Sequence, residues 1–240
     1  DMAVEKKALG PVLDRRTFSL GVVMALTAAC NPGTSQGRPQ PVTAGFWTLW
    51  RDRFVSPEGR VIDTGNGRIS HSEGQSYGLI FALRAGDREA FERMAKWTQE
   101  TLGRTDMALH SWRYDSRAAN PVSDPNNATD GDLVIAWALA LAGKRWSQPA
   151  WLDRSQQIRA AIYKHCVVSR FGRHLLLPGM IGFDTPGQVT LNPSYFVWSA
   201  LDYFAKLDGV KTWGPVIRDC EEITQLSQFG TLHLPCDWVV

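Results

Sequence analysis

The chain has 240 residues, enough for one sizeable hydrophobic core or two small ones. Its 26 Lys and Arg residues nearly balance its 24 Asp and Glu residues, and the lack of a basic tract argues against nucleic acid as a partner. Ten tryptophans are many for this length. Most are expected in the core, and the remainder are suited to surfaces that stack on sugar rings or on bases.

The cysteines and histidines indicate neither a metal site nor a disulfide framework. Cys30, Cys166, Cys220 and Cys236 stand at spacings that fit no zinc or redox motif, although one disulfide bridge remains open. The five histidines are scattered without the spacing of metal ligands. We therefore predict no metal.

The N-terminus has the pattern of an export signal. Residues 14–18 are charged and contain a twin arginine, and the apolar run 19–29 is too short to span a bilayer. We predict that residues 1–30 form a twin-arginine-like signal and that the mature protein is periplasmic or secreted. A lipid anchor at Cys30 is an alternative that Thr27 disfavours, because leucine is usual there. An amphipathic N-terminal helix is the other alternative.

The folded domain is predicted to span residues 42–240, after a Pro- and Gly-rich linker at 31–41. No other apolar run is long enough for a membrane span. The hydrophobic periodicity is mostly helical and predicts seven helices. In chain order, they comprise a stripe from Phe46 to Phe54 and helices that start at Ser72, Asp87, Thr129, Trp151, Asn192 and Lys211.

Strand signals are weak and confined to two short segments, residues 60–62 and 175–177. Two long connections, 104–128 and 170–192, separate the helices. Structureless connections of that length usually carry functional residues.

Two acidic residues follow predicted helix caps, each with glycine next in the chain. Glu73 comes after Ser72, and Asp130 comes after Thr129. Acidic side chains are common in first helical turns because the helix dipole favours them, so a structural role is the simpler interpretation of each alone. Asp132 is interpreted as a cap on this ground.

The neighbourhood of these two acids favours a catalytic role. Tyr77 lies one turn after Glu73, and residues 110–115 form a Trp-containing loop. A general acid needs a raised pKa, whereas a helix N-terminus lowers it. Burial or a nearby anion such as Asp130 must therefore raise the pKa of Glu73. We interpret His71 as a loop residue rather than a ligand.

Three segments resemble the signatures of glycoside hydrolase family 8. They are Ser-Glu-Gly-Gln-Ser-Tyr-Gly at 72–78, Ala-Thr-Asp-Gly-Asp at 128–132 and Asn-Pro-Ser-Tyr-Phe at 192–196. Within that family the chain resembles the periplasmic endoglucanases that accompany bacterial cellulose synthases, and Val-Ile-Asp at 61–63 fits the same branch. The resemblance extends from about residue 42 to the end of the chain.

The resemblance implies an all-α (α/α)6 barrel that cleaves β-1,4-glucan chains by an inverting endo-mechanism without a cofactor. By motif, Glu73 corresponds to the proton donor and Asp130 to the carboxylate that holds the distorted sugar. Trp112 and Tyr195 correspond to sugar contacts. Gln75 and Tyr77 are predicted groove residues, with core packing an equal alternative for Tyr77. A functional association with cellulose synthase also follows from the resemblance.

The chain departs from the family pattern near its end. Seven helices are predicted where the barrel needs twelve, so we expect a barrel that lacks its C-terminal helices and exposes apolar helix faces. The family's general base lies on a late helix beyond the segment resembling residues 234–238. Asp237 is the only late acid of note and is interpreted as structural.

Three alternatives to an endo-β-1,4-glucanase remain. The first is a hydrolase of the same family acting on chitosan, xylan or mixed-linkage glucan. The second is a sugar-binding remnant that keeps Trp112 and Tyr195 but lacks the base and does not turn over substrate. The third is an α-solenoid interaction module, which the lack of a fixed repeat period disfavours.

Overall fold

A computed structural model describes residues 44–240, and this part of the chain is mainly α-helical, as predicted. Residues 1–43 lie outside the described residues, and with them the predicted export signal, Cys30 and the predicted linker. The helices of the described part are α1 (Ala44–Phe54), α2 (Ser72–Ala85), α3 (Arg88–Trp97), α4 (Thr129–Arg145), α5 (Pro149–Cys166), α6 (Trp198–Asp208) and α7 (Val210–Leu226). Within it, no helix is both long and apolar enough to cross a membrane.

The helices form an inner row and an outer row. Helix α4 packs against both α2 and α6, so these three form the inner row. Each is followed by a helix that packs back on it: α3 on α2, α5 on α4 and α7 on α6. Only Gly86 and Asp87 separate α2 from α3, and only Gly209 separates α6 from α7. Such short connections make each pair antiparallel, so the inner helices run in one direction with their N-termini at one rim.

Local sequence explains the sharp reversal between α2 and α3. Gly86 ends α2 in the left-handed conformation, with φ of 78°, which glycine adopts without a Cβ clash. Asp87 then caps α3, because its carboxylate accepts a 3.0 Å hydrogen bond from the Ala90 N–H. This confirms the predicted cap. A π-helical extension of α3, Thr98–Leu102, follows and ends at Gly103.

Helices α2 and α4 begin at Ser72 and Thr129 as predicted, but two predicted caps and one predicted helix start were wrong. The cap of α2 is His71 rather than Ser72, because His71 Nδ1 accepts the Gly74 N–H at 3.0 Å. Helix α4 has no side-chain cap. Asn192 caps a short 3-10 turn, Pro193–Tyr195, instead of the sixth helix. The non-helical backbone of the next two residues delays α6 until Trp198.

Four antiparallel strand pairs, three of them hairpins, lie outside the helices of the described part. They pair β1 (Ser70–His71) with β2 (Arg113–Tyr114), β3 (Val167–Arg170) with β4 (Arg173–Leu176), β5 (Asp184–Thr185) with β6 (Gln188–Val189), and β7 (Gln228–Phe229) with β8 (Leu234–Pro235). The predicted strand at 175–177 thus falls largely within β4, whereas Val61 makes only an isolated bridge with Val55. The fifth helix ends before Val167 and Val168, whose β-branched side chains suit a strand.

The core lies between the two rows of helices. Among its largest fully buried side chains are Phe91, Phe204 and Trp213, one from each of three helices. The predicted stripe on α1 is only partly buried: Trp47 and Trp50 face the core, whereas Leu49 is 74% exposed. Within residues 44–240, Cys166, Cys220 and Cys236 are all free thiols, so none of these three forms the bridge that the sequence left open.

Candidate active site

Glu73 and Asp130 lie in the first turns of neighbouring inner helices, α2 and α4. A Cβ atom added to Gly131 would lie 2.5 Å from Ser72 Oγ and 3.0 Å from the backbone nitrogen of Glu73. Only glycine therefore permits this approach of the two helix ends. The structure thus brings together the two acids that the sequence predicted to be catalytic.

Both carboxyl groups are withdrawn from water. Glu73 is 9% exposed and accepts a 3.2 Å hydrogen bond from Ser72 Oγ. Asp130 is half-buried, and its Oδ1 accepts the Gly131 N–H at 2.8 Å. Each group also lies at the positive end of a helix dipole, which favours its ionised form.

The two carboxyl groups have opposite pKa shifts. Burial, and then the negative charge of Glu73, raise the pKa of Asp130 well above its usual range. Burial also raises the pKa of Glu73, but the charge and hydrogen bond of His71 outweigh it, and the net shift is downward. The like-charge pairing anticipated from the sequence is present. The pKa that it raises, however, is that of Asp130 and not that of Glu73.

His71 is the neighbour that lowers the pKa of Glu73 and so makes the pKa shifts of the two acids opposite. Its Nδ1 lies 3.3 Å from Glu73 Oε2, and its Nε2 lies 3.2 Å from Asp63 Oδ2. Burial lowers the pKa of His71, but Glu73 and Asp63 raise it to about 10. The interpretation of His71 as a mere loop residue was wrong, because the sequence does not show which side chains face its ring.

Tyr77 lies near both carboxyl groups. Burial raises the pKa of its phenol, and the charges of Asp130 and Glu73 raise it further. The phenol therefore stays protonated and able to donate a hydrogen bond. Its position one helical turn after Glu73 explains the proximity, since residues four apart share one face of a helix.

Gln75 does not line this site. It is fully buried, and its Oε1 accepts the Val61 N–H at 2.5 Å. Its Nε2 donates to Gly59 O at 3.2 Å and to Thr98 Oγ1 at 2.8 Å. The prediction of a groove residue was wrong: this side chain anchors the loop before β1 to the interior, a role that helical spacing alone does not reveal.

The two predicted aromatic sugar contacts are half-buried. Trp112 immediately precedes β2, and its carbonyl accepts the Ser72 N–H at 3.0 Å, which holds the loop beside the start of α2. Its indole Nε1 donates to Asp124 Oδ2 at 2.6 Å. Tyr195 ends the 3-10 turn before α6. It interacts electrostatically with Tyr77 and contributes to the raised pKa of that phenol. Both aromatic residues therefore belong to the rim of the inner helices.

A third aromatic residue near Tyr195 was not predicted from the sequence. The ring of Trp238 lies 6.4 Å from that of Tyr195 and stacks on Phe183 at 6.1 Å with the planes 8° apart. Trp238 is 51% exposed. Its distance along the chain from the other site residues hid this contact from sequence analysis.

His110 and Asp132 form a buried pair that joins the connection before α4 to that helix. His110 Nδ1 lies 2.7 Å from Asp132 Oδ1, and Asn127 Nδ2 donates to Asp132 Oδ2 at 3.0 Å. Asp132 is thus not the predicted cap; it ties the long connection before α4 to that helix. In residues 44–240, no three His, Cys, Asp or Glu side chains are grouped as metal ligands.

A pair of carboxyl groups is the arrangement that glycoside hydrolysis uses. The chain belongs to family 8 of the glycosyl hydrolases, whose sequence model matches residues 14–240. It is similar to an endoglucanase of Cellulomonas uda, with 40% identity over 193 residues that cover 80% of this chain and 54% of the relative. A probable endoglucanase of Novacetimonas hansenii is 39% identical over 202 residues, covering 84% and 59%.

Solved structures agree with the sequence relatives. Endoglucanase Cel10 from Klebsiella pneumoniae superposes with a TM-score of 0.78 and 40% identity, covering 80% of this chain and 62% of that one. Endo-β-1,4-glucanase CMCax from Acetobacter xylinum gives 0.77 and 40%, covering 80% and 60%. The predicted all-α fold of the (α/α)6 type is thereby confirmed. The chain spans little more than half the length of these curated relatives.

Proposed function

We propose that this chain belongs to an inverting endo-β-1,4-glucanase that hydrolyses cellulose-type β-glucan. The observation that carries the proposal is the pairing of Glu73 and Asp130 at the rim of the inner helices. Endoglucanases at about 40% identity share this part of the fold, which supports a β-glucan as the substrate.

In the proposed reaction Glu73 protonates the glycosidic oxygen and Asp130 holds the sugar ring distorted towards the transition state. Inversion also needs a second carboxylate that activates a water on the opposite face of the sugar, roughly 6.5–9.5 Å from the acid. Asp237, the late acid named from the sequence, is exposed and remains assigned to structure.

The aromatic side chains of the rim are suited to hold the glucan. Trp112 and Tyr195 present partly exposed rings that can pack on sugar faces, and Tyr77 offers a phenol donor beside the carboxyl groups. These three residues are the proposed binding residues. Pocket shape beyond them decides between cellulose and the chitosan, xylan or mixed-linkage alternatives.

We also propose that the protein is exported and acts in the periplasm or outside the cell, in association with cellulose synthesis. The twin-arginine pattern of residues 14–18 and the apolar run that follows support export. Similarity to CMCax of Acetobacter xylinum, an endo-β-1,4-glucanase, fits a role on β-1,4-glucan.

Release of reducing ends from carboxymethyl-cellulose tests the activity. We expect Glu73→Gln to lower the rate by about 10²–10⁴-fold, because the amide cannot donate a proton as an acid does. The matched control is Glu92→Gln, an exposed change on the outer face of α3 that should keep the rate. Undiminished hydrolysis by Glu73→Gln would disprove the assignment. Oligosaccharide binding without any turnover would favour the sugar-binding remnant.

A further inference from the structure

His71 Nδ1 faces two partners that need different forms of that nitrogen. The Gly74 N–H donates to it at 3.0 Å, which requires a lone pair. Glu73 Oε2 lies 3.3 Å away, and an ionised carboxylate there requires a proton on the nitrogen. An imidazole nitrogen has a single position in the ring plane, so Nδ1 serves one partner at a time.

Asp63 keeps the other ring nitrogen of His71, Nε2, protonated. His71 Nε2 lies 3.2 Å from Asp63 Oδ2, and Asp63 Oδ1 accepts the Gly65 N–H at 3.0 Å. The hydrogen bond to His71 is the largest cause of the lowered pKa of Asp63, which therefore stays ionised. A fixed anion at Nε2 keeps a proton there, so the exchangeable proton of the ring is the one on Nδ1.

We propose that His71 is a positioning residue that shares one proton with Glu73 and returns it to that carboxylate when the glycosidic oxygen is protonated. This inference rests on the proposed function of Glu73. In the resting site the proton is on Nδ1 and Glu73 is ionised. On donation the Nδ1–H bond breaks as an O–H bond forms on Glu73, and that proton then passes to the glycosidic oxygen.

The Gly74 N–H completes the exchange. Once Nδ1 has lost its proton, its lone pair accepts this backbone hydrogen, so the neutral ring is stabilised at the start of α2 and held in place. A proton from solvent restores the resting state after the product leaves. The contact to Glu73 and the contact to Gly74 thus belong to successive stages of one reaction.

The surroundings of the ring agree with a shared proton. The charged and titratable groups that face His71 in the described part of the chain are Asp63 from the preceding loop, Glu73 from α2 and Asp130 from α4. Arg113 lies opposite His71 in the β1–β2 pair, but its guanidinium points to Asp115 at 3.3 Å. An imidazolium is therefore surrounded by acids alone, and burial and the charge of Glu73 raise the pKa of Asp130.

Nuclear magnetic resonance of the ring nitrogens tests the proposal without an activity measurement. With His71→Asn used to assign the signal, we expect both nitrogens of His71 to be protonated at pH 7. Glu73→Gln should lower the pKa of the ring by about 1–3 units, since the anion beside Nδ1 is lost. Glu92→Gln, an exposed change on α3, should leave the pKa of the ring unchanged. An unprotonated Nδ1 at pH 7, or no shift in Glu73→Gln, would overturn the proposal.

A second variant examines the carboxylate. His71→Asn keeps an acceptor for the Gly74 N–H, because asparagine is a favoured cap, but removes the shared proton. The pKa of Glu73, followed by its side-chain carbon shift, should then rise because burial is no longer offset. An unchanged pKa would refute the sharing. A chain with a shared proton but no hydrolysis would refute the proposed glucanase instead, so the two failures are distinguishable.

Discussion

At the scale of single residues, the pair of His110 and Asp132 shows how a buried charge can organise a site without entering the chemistry. Both side chains are almost fully buried, and Asp132 also accepts the backbone N–H of His110 at 3.2 Å. The hydrogen-bond partners of this carboxylate, His110 and Asn127, both come from the long connection 104–128. The pair therefore fixes the loop that carries Trp112 against α4.

Removing one member of this pair should destabilise the fold. We expect Asp132→Ala to lower the free energy of unfolding by about 3–5 kcal/mol, because His110 and Asn127 lose their buried partner. Urea unfolding followed by circular dichroism measures the change. Asp153→Ala, an exposed change on α5, is the control and should shift stability by less than about 0.5 kcal/mol. Equal effects of the two changes would contradict this account.

At the scale of helices, the close approach of α2 and α4 depends on one missing side chain. Gly131 follows Asp130 and faces the first turn of α2, where even a methyl group would collide with Ser72. The repeated acid–glycine pair of the sequence thus has a physical meaning in α4: glycine lets one helix end reach the other. The same geometry accounts for the electrostatic pairing of the two carboxyl groups.

Gly131→Ala should therefore separate the two helix ends. We expect a loss of stability of about 1–3 kcal/mol from overpacking, and a fall of the raised pKa of Asp130 as Glu73 moves away. Thermal unfolding and carbon shifts of the carboxyl groups measure the two effects. In Gly45→Ala the new methyl group meets nothing within 4 Å, so this control should be neutral or slightly stabilising. If both variants behave alike, the close-approach argument is wrong.

The helices themselves were largely predictable, whereas the groups at their N-termini were not. Periodic apolar positions showed all seven helices, because a helix that buries a face must repeat its apolar residues. The caps at His71 and Ala128 and the delayed start of α6 were missed. Those ends depend on which distant group satisfies the backbone, and a local pattern does not contain that information.

At the scale of the whole molecule, apolar surface is concentrated beside the end of α7. Leu226 and Phe229 are 69% and 64% exposed, and Trp238 and Val240 line the same groove. Helix α1 packs on α2, at the opposite end of the inner row from α6. It exposes Leu49. Leu49 and Leu226 are thus exposed on helices, as the sequence predicts, whereas Phe229, Trp238 and Val240 lie outside the helices.

This surface should bind hydrophobic dyes. We expect the 240-residue chain to enhance the fluorescence of anilinonaphthalene sulfonate, and the double change Leu226→Ser with Phe229→Ser to reduce it severalfold. Leu49→Ser removes a comparably exposed leucine on α1 and serves as the matched control. The account requires the first variant to lose clearly more fluorescence than the second; similar losses would show that no single groove dominates.

The sequence by itself determined the helical class, the family and the seven helices of residues 44–240, and it singled out Glu73 and Asp130 as candidate acids. Each of these leaves a signal in neighbouring or regularly spaced residues. Tertiary structure alone decided that Gln75 is an internal anchor, that Asp132 pairs with His110 and that His71 stands between Asp63 and Glu73. Tertiary structure also decided which carboxyl group has the raised pKa. A pKa depends on burial and on charges brought close by folding, and neither is encoded at one position of the chain.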